Sequence, residues 1–211
     1  MSLTLAHSFG LSDRLLDLIG EKYGPAARER LVQWEKLDMR AAQLDEMGKL
    51  NMVNDFFNRL PNVEDLEHWG ENDYWATPVE LLASNGGDCE DFAIAKYFSL
   101  RYLGVPAERL RITYVRIFLR QRGLIQPHMV LAYYPTPDAD PLILDNTITW
   151  ISPASARGDL VPVYSFNADG LWRAKERGRG RPLENSGSAG HWLDLMERLS
   201  DQAIPRMSRT H

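Results

Sequence analysis

The sequence predicts an α+β fold in which a helical first half precedes an antiparallel β-meander. Apolar residues recur at helical spacing through about residue 60 and again after Cys89. The period then changes to that of strands in 111–119, 128–134 and 141–145, which are rich in β-branched and aromatic residues. Turn residues separate these three strands by short connections, and consecutive strands joined in this way pair antiparallel.

Three helices are expected before residue 61. Ser12 is a suitable N-cap for the first, which ends before the Gly-Pro pair at 24–25. The second is expected over 25–44 and the third over 47–60, with Pro61 as the stop. Their apolar stripes indicate helix packing rather than a binding surface.

The second half begins with two helix-start signals. Thr77, Pro78 and Glu80 form a capping box with proline at the first helical position, which predicts a short helix. Asp88 is the expected N-cap of a longer helix that begins at Cys89 and ends near residue 103, before a Gly-Val-Pro stop. That helix is apolar almost all round, which predicts the buried central helix of the fold.

The chain end differs in composition. The stretches ISPAS and LVPVYSFN are candidates for a further edge strand, whereas 173–190 is rich in Gly, Arg and Ser without an apolar period. This composition predicts a linker followed by a short terminal helix. We therefore expect one domain over 1–172, with a helical lobe at about 11–84 and a core at about 85–172, and then the linker and helix over 173–211.

Bulk composition excludes several classes of protein. The chain has 29 acidic and 24 basic residues, a net charge of -5 that argues against a general nucleic-acid binder. Its single cysteine excludes an internal disulfide framework and a multi-cysteine zinc site. No apolar run of about 18 residues suggests a membrane span, and the first residues show no signal-peptide pattern.

The single cysteine lies in an unusual electrostatic environment. A helix N-terminus stabilises a thiolate, the nucleophilic form of cysteine, and Cys89 occupies that position. Asp88, Glu90 and Asp91 surround it and should raise its pKa by charge repulsion. Reactivity would therefore require an offsetting positive charge, either an imidazolium or a bound cation.

Strand spacing identifies a candidate imidazole. With the turn centred near residues 136 and 137, opposed residues of the last two strands sum to about 273, so His128 should face Asp145. If the meander packs on the helix of Cys89, these residues form a Cys-His-Asp triad of nucleophile, base and orienting group. Spacing alone also allows three unrelated polar residues, with Asp145 as a plain turn residue.

Several stretches together resemble the bacterial transglutaminase-like cysteine proteinases, over about Trp69 to Trp172. They are DYWATPVE, GGDCEDFAIAKYFSLRYLGVP, LRITYV, HMVLAYY, PLILDN and PVYSFNADGLW. The resemblance implies a papain-like, transglutaminase-like core and the same triad of Cys89, His128 and Asp145. It also implies a calcium requirement, with Asp88, Glu90 and Asp91 as metal ligands. The residues alone allow these acids to be only an N-cap and favourable partners of the helix dipole.

The resemblance further implies a biological role. Enzymes of this family are periplasmic endopeptidases that cut a large surface adhesin near its N-terminus, within an alanine pair, and so release the cell from a biofilm. An inner-membrane receptor for cyclic di-GMP sequesters them. Two alternatives remain at this point: a transglutaminase-type acyl transferase with the same triad, and an inactive transglutaminase-like binding module.

The oxyanion hole is less defined by the sequence. The backbone N–H of Cys89 is one natural donor at a helix start. Side-chain donors could come from Asn72 or Trp75, which precede the nucleophile in the chain.

Overall fold

The computed structural model of the protein describes residues 10–167, 170–173 and 187–202. The predicted helices and strands occur in the predicted order, with further elements among them. The helices are α1 (Asp13–Tyr23), α2 (Pro25–Glu35), α3 (Leu37–Ala41), α4 (Glu46–Phe57), α5 (Asp65–His68), α6 (Pro78–Ser84), α7 (Cys89–Tyr102) and α8 (Gly187–Asp201). The strands are β1 (Leu110–Leu119), β2 (Leu124–Tyr133), β3 (Leu142–Leu144), β4 (Ser152–Pro153), β5 (Leu160–Asn167) and β6 (Gly170–Arg173).

The N-terminal helices confirm one prediction and correct another. The Ser12 hydroxyl accepts from the backbone N–H of Leu15 and caps α1, as expected. The predicted helix over 25–44 is wrong in its continuity, because it divides into α2 and α3 at Lys36 and ends at Ala41. The buried stripe of Leu31, Trp34 and Leu37 runs across the break, so apolar spacing could not reveal it.

Helix α7 is the buried centre of the molecule, as predicted. All residues from Glu90 to Leu100 are buried, and the helix packs on β2 on one side and on α4 and α6 on others. The Thr77–Glu80 capping box starts α6 just before it. Gly104 then ends the helical region at φ 86°, a left-handed conformation that glycine adopts without strain.

The sheet contains the predicted meander and extends it. Strand order is β4-β3-β2-β1-β5-β6, with antiparallel neighbours throughout. The first edge-strand candidate, ISPAS, supplies β4 at one edge. The second, LVPVYSFN, is β5 and lies inside the sheet between β1 and β6, so its prediction as an edge strand is wrong.

Both ends of the predicted linker over 173–190 belong to regular elements instead. Arg173 belongs to β6, and residues 187–190 form the first turn of α8. The remainder of that prediction, 174–186, lies outside the described residues. Within the described ranges, no helix has both the length and the apolar character needed to cross a bilayer.

Register between β2 and β3 differs from the predicted one by two residues. Leu131 pairs with Leu144, so opposed residues sum to 275 rather than 273, and Asp145 lies just beyond the end of β3. The turn from Tyr134 to Pro141 is therefore centred about one residue later than the sequence suggested. A slip of two residues keeps every side chain on its face of the sheet and makes His128 and Asp145 diagonal neighbours.

Candidate active site and acidic cluster

Cys89 is the first residue of α7, and its sulfur lies against both a strand and an acid. The backbone N–H of Met129, on β2, lies near enough to the sulfur to act on the pKa of Cys89 by lowering it. The thiol itself contacts the Glu90 carboxylate, with Sγ 3.0 Å from Oε2. Burial, followed by the charges of Glu90 and Asp88, raises the pKa of Cys89 well above its usual range. This arrangement therefore holds a protonated thiol.

His128 and Asp145 form a buried pair. The Nε2 atom of His128 lies 2.8 Å from Oδ1 of Asp145, and both side chains are almost inaccessible to solvent. Burial alone would raise the pKa of Asp145, but the hydrogen bond and charge of His128, the Thr147 N–H and the Arg157 charge together lower it below its usual range. Because the carboxylate is ionised, Nε2–H of His128 donates to it and Nδ1 is left as the basic nitrogen.

Asp145 is held from three further directions. Arg157 donates from Nη2 to its Oδ2 at 2.8 Å, and the same guanidinium is shared with Asp159. The backbone N–H of Thr147 donates to Oδ1 at 2.9 Å. Asn58, at the end of α4, donates to the backbone carbonyl of Asp145 at 2.8 Å. The orienting carboxylate is thus fixed by both its side chain and its backbone.

An acidic cluster surrounds the start of α7. One carboxylate oxygen each from Asp65, Asp88 and Asp91 lies within 4.8 Å of the other two. The Cys89 sulfur and one carboxylate oxygen each from Asp88 and Glu90 also lie within 4.8 Å of one another, so the two groups share Asp88. The Oδ1 atoms of Asp65 and Asp88 are buried without a hydrogen-bond partner in the described residues. The structure therefore brings together all three acids that the sequence predicted and adds Asp65.

Backbone N–H groups orient two of these acids. Asp65 accepts from Tyr74 N–H at 2.5 Å, and Asp91 accepts from Ala76 N–H at 2.6 Å and from Asp88 N–H at 3.3 Å. A Cβ at Gly87 would collide with the Asp91 carboxylate, so this position requires glycine. The fold thus holds the carboxylates of Asp65 and Asp91 in defined orientations.

The carboxyl groups of the acidic cluster have raised pKa values in the protein alone. Burial, followed by neighbouring acids, raises the pKa of Asp88 to about 10. Burial also raises the pKa of Asp65 to about 6, despite the Tyr74 hydrogen bond, and that of Asp91 well above its usual range. Buried carboxylates with unsatisfied oxygens fit a hard cation such as calcium, which takes six to eight oxygen ligands.

Sequence reasoning missed three residues of this region. Asp65 is on α5, 23 positions before Asp88 in the printed sequence, and Arg157 follows β4; neither belongs to a motif that indicates a site. Lys96 looked like one residue of an apolar helix. It is fully buried, and its Nζ has no hydrogen-bond partner in the described part of the chain. Burial lowers the pKa of Lys96 to about 7, against the opposing influence of Asp145.

The structure also places the two side chains suggested for the oxyanion hole. Trp75 is buried, stacks on Phe166 and directs its indole N–H to Asp73 at 2.9 Å. Asn72 is exposed in the loop before it. Neither position supports a role beside the Cys89 sulfur, whereas the N–H groups at the start of α7 have no partner within the helix.

Comparisons with known proteins identify the family of the chain. The family model described as bacterial transglutaminase-like cysteine proteinase, BTLCP, matches residues 27–161, which begins well before the resemblance seen in the sequence. No curated protein matches the chain.

Solved structures of Legionella pneumophila LapG are similar over most of the chain. The calcium-bound form has 43% identity and a TM-score of 0.72, covering 88% of this chain and 98% of that one. The EGTA-treated form has 43% identity and a TM-score of 0.74, covering 89% and 96%. The family match and this similarity together show that the chain belongs to the bacterial transglutaminase-like cysteine proteinases.

Proposed function

We propose that the protein is a calcium-dependent cysteine endopeptidase whose triad is Cys89, His128 and Asp145. The observation that carries this proposal is the position of Cys89 at the start of α7, with its sulfur near the backbone N–H of Met129. Met129 directly follows His128, which is paired with Asp145. Nucleophile, base and orienting carboxylate thus come from one helix start and two neighbouring strands. Membership of a cysteine proteinase family supports the reaction class.

The triad would act in the usual order for a cysteine protease. His128 Nδ1 takes the thiol proton, and the Cys89 sulfur attacks the peptide carbonyl carbon. The tetrahedral oxyanion would be stabilised by the backbone N–H of Cys89. When the C–N bond breaks, the imidazolium protonates the leaving amine. Water, deprotonated by His128, then releases the acyl group from sulfur and regenerates the thiol.

Asp145 would keep His128 productive through this cycle. Its carboxylate accepts from Nε2–H, fixes the tautomer that leaves Nδ1 basic and stabilises the imidazolium. Arg157 holds the carboxylate of Asp145, and Asn58 holds the backbone carbonyl of the same residue.

Calcium would be held by Asp65, Asp88, Glu90 and Asp91. The unsatisfied, buried oxygens of the cluster support this assignment, and the related Legionella protein is known in a calcium-bound form. A divalent cation there supplies positive charge that offsets the acids around Cys89. Without it, those acids keep the thiol protonated.

The substrate and setting follow from the family resemblance. We propose that the enzyme works in the periplasm and cleaves the N-terminal region of a large surface adhesin at an alanine pair, which releases the adhesin and promotes biofilm dispersal. We further propose that a cyclic di-GMP receptor of the inner membrane regulates it by sequestration. Nucleic acid is not an expected partner of this acidic chain.

Cleavage of an adhesin N-terminal fragment tests the proposal. Wild-type protein and Cys89→Ala are incubated with the fragment, each with calcium and with EGTA, and products are sequenced. A fragment with the alanine pair replaced by an aspartate pair controls for specificity. We expect cleavage only by the wild type with calcium, at the alanine pair.

Other outcomes favour the alternatives. Equal cleavage in EGTA would show that the acids only cap α7. No cleavage under any condition, with incorporation of an amine into the fragment, would favour an acyl transferase. Binding without turnover would favour a binding module.

A further inference from the structure

The segment from Asp73 to Thr77 separates the acidic cluster from helix α8. On one side it donates two backbone N–H groups to the cluster, from Tyr74 to Asp65 and from Ala76 to Asp91. The intervening residue, Trp75, presents its carbonyl to α8 instead. The orientation of two acids therefore depends on one short stretch of backbone.

Arg198, on α8, forms hydrogen bonds with this stretch and with Glu80. Its Nη2 donates to the Trp75 carbonyl at 2.6 Å, and its Nη1 donates to Tyr74 Oη at 3.0 Å and to Glu80 Oε2 at 2.5 Å. The guanidinium also lies over the Tyr74 ring, 4.7 Å from its centroid. Glu80 in turn accepts from Thr77 N–H at 2.8 Å. One arginine thus fixes both ends of the segment that orients the acids.

Helix α8 is anchored independently of Arg198. Leu195 and Leu199 are buried in the core, and Trp192 stacks on Phe98 with ring centroids 5.8 Å apart. Gln202 accepts from the Thr77 hydroxyl at 2.8 Å. Because these contacts hold the helix, the guanidinium is pre-oriented and its fork geometry can be used in full.

We propose that Arg198 is a positioning residue for the calcium-binding acids, and that α8 is therefore part of the support of the metal site. This inference rests on the proposed function, since it needs calcium to bind the cluster. It adds a structural element outside the residues 27–161 matched by the family model. Groups that orient metal ligands typically change metal affinity by about 10-fold to 100-fold when removed.

The test is calcium affinity of the full chain, measured by isothermal titration calorimetry. Variants are Arg198→Met, which removes the guanidinium, and Arg198→Lys, which keeps the charge but not the fork. Arg28→Met is the matched control, because Arg28 is a surface arginine whose ion pair in the described part of the chain is with Asp17, at 3.5 Å. Amide hydrogen exchange at Tyr74 and Ala76, followed by NMR, reports on the segment itself without calcium.

We expect Arg198→Met to weaken calcium binding by about 10-fold or more, with Arg198→Lys in between and Arg28→Met unchanged. Exchange at Tyr74 and Ala76 should be faster in Arg198→Met. An Arg198→Met protein that melts earlier but binds calcium like the wild type would overturn the inference and leave the proposed function standing. A wild type that binds no calcium would overturn both.

Discussion

At the scale of single residues, the members of the proposed triad were easier to single out from the sequence than the residues that hold them. Cys89 is the lone cysteine and His128 the one histidine in the meander, so few candidates existed. Arg157 and Asn58 could not be found in this way, because they hold Asp145 through contacts between residues 12 and 87 positions apart. No local pattern encodes such contacts.

Arg157 should matter for catalysis through its contact with Asp145. Its removal in Arg157→Gln frees one oxygen of Asp145, and the carboxylate and its imidazole partner can then reorient. We expect kcat/KM to fall between about 10-fold and 100-fold, as for small misplacements of catalytic groups. Peptide cleavage kinetics measure this, with Arg59→Gln, an exposed arginine on the helical side, as control. Unchanged kinetics in Arg157→Gln would remove it from the orienting network.

Lys96 should destabilise the fold in a pH-dependent way. The pKa of Lys96 is about 7 in the folded protein and 10.5 ordinarily, so between these values the unfolded chain binds a proton that the folded chain does not. Stability therefore rises with pH over this interval. Lys96→Met removes the penalty and should raise the free energy of unfolding most at pH 7 and less at pH 9.5.

Urea unfolding of both proteins in EGTA at the two pH values measures this difference. Lys49→Met is the control, since Lys49 donates to the Leu103 carbonyl and its burial is partial. A stabilisation by Lys96→Met that is the same at both pH values would show that Lys96 is not neutral in the folded protein.

At the scale of elements, helix starts were predicted well and strand partners less well. Capping residues are local signals, and those of α1 and α6 were correct. Register depends on how a turn folds, and the β2–β3 turn shifted it by two residues. The expected contact of His128 with Asp145 nevertheless forms. A shift of two residues keeps each side chain on the same face of the sheet, and the Asp145 side chain extends back to the diagonally placed His128.

Helix α4 contributes to the active site through its C-terminal end. Asn58 donates from Nδ2 to the carbonyls of Asp145 and Ile148, at 2.8 and 3.0 Å, and so fixes the loop that follows β3. We expect Asn58→Ala to lower kcat by about 10-fold with little change in KM, because the loop holds a catalytic group rather than substrate. Asn51→Ala, an exposed position on the same helix, should have no effect. Equal kinetics for the two variants would contradict this role of α4.

At the scale of the whole molecule, the fold class was predictable from the sequence. The way in which distant elements assemble the acidic cluster was not. Hydrophobic period and turn signals were sufficient for an α+β fold with a buried helix against a meander. The acidic cluster required α5 to bring Asp65 to the start of α7, and α8 to pack on the segment before α6. These are tertiary contacts between distant parts of the chain, and composition gave no sign of them.

Calcium should stabilise the whole molecule, since the cluster joins α5, α7 and the segment held by α8. A ligand that binds only the folded state at 100 times its Kd adds about 2.7 kcal/mol to the free energy of unfolding. We expect the melting temperature to rise with calcium and to return to its starting value with EGTA. Magnesium, which needs a tighter octahedral shell, should raise it less. An equal rise with both ions would indicate non-specific charge screening.

The most direct test of the proposed calcium site is the stoichiometry of calcium binding by Cys89→Ala protein, which keeps every acid and lacks the thiol. Calorimetry should give one site per chain, weakened at least about 10-fold by Asp91→Asn and unaffected by Glu67→Gln, an exposed acid of α5. This pattern is expected because Asp91 is buried in the cluster and Glu67 points to solvent. Absence of binding, or binding that Asp91→Asn leaves intact, would contradict the claim that the carboxylates around Cys89 form a calcium site.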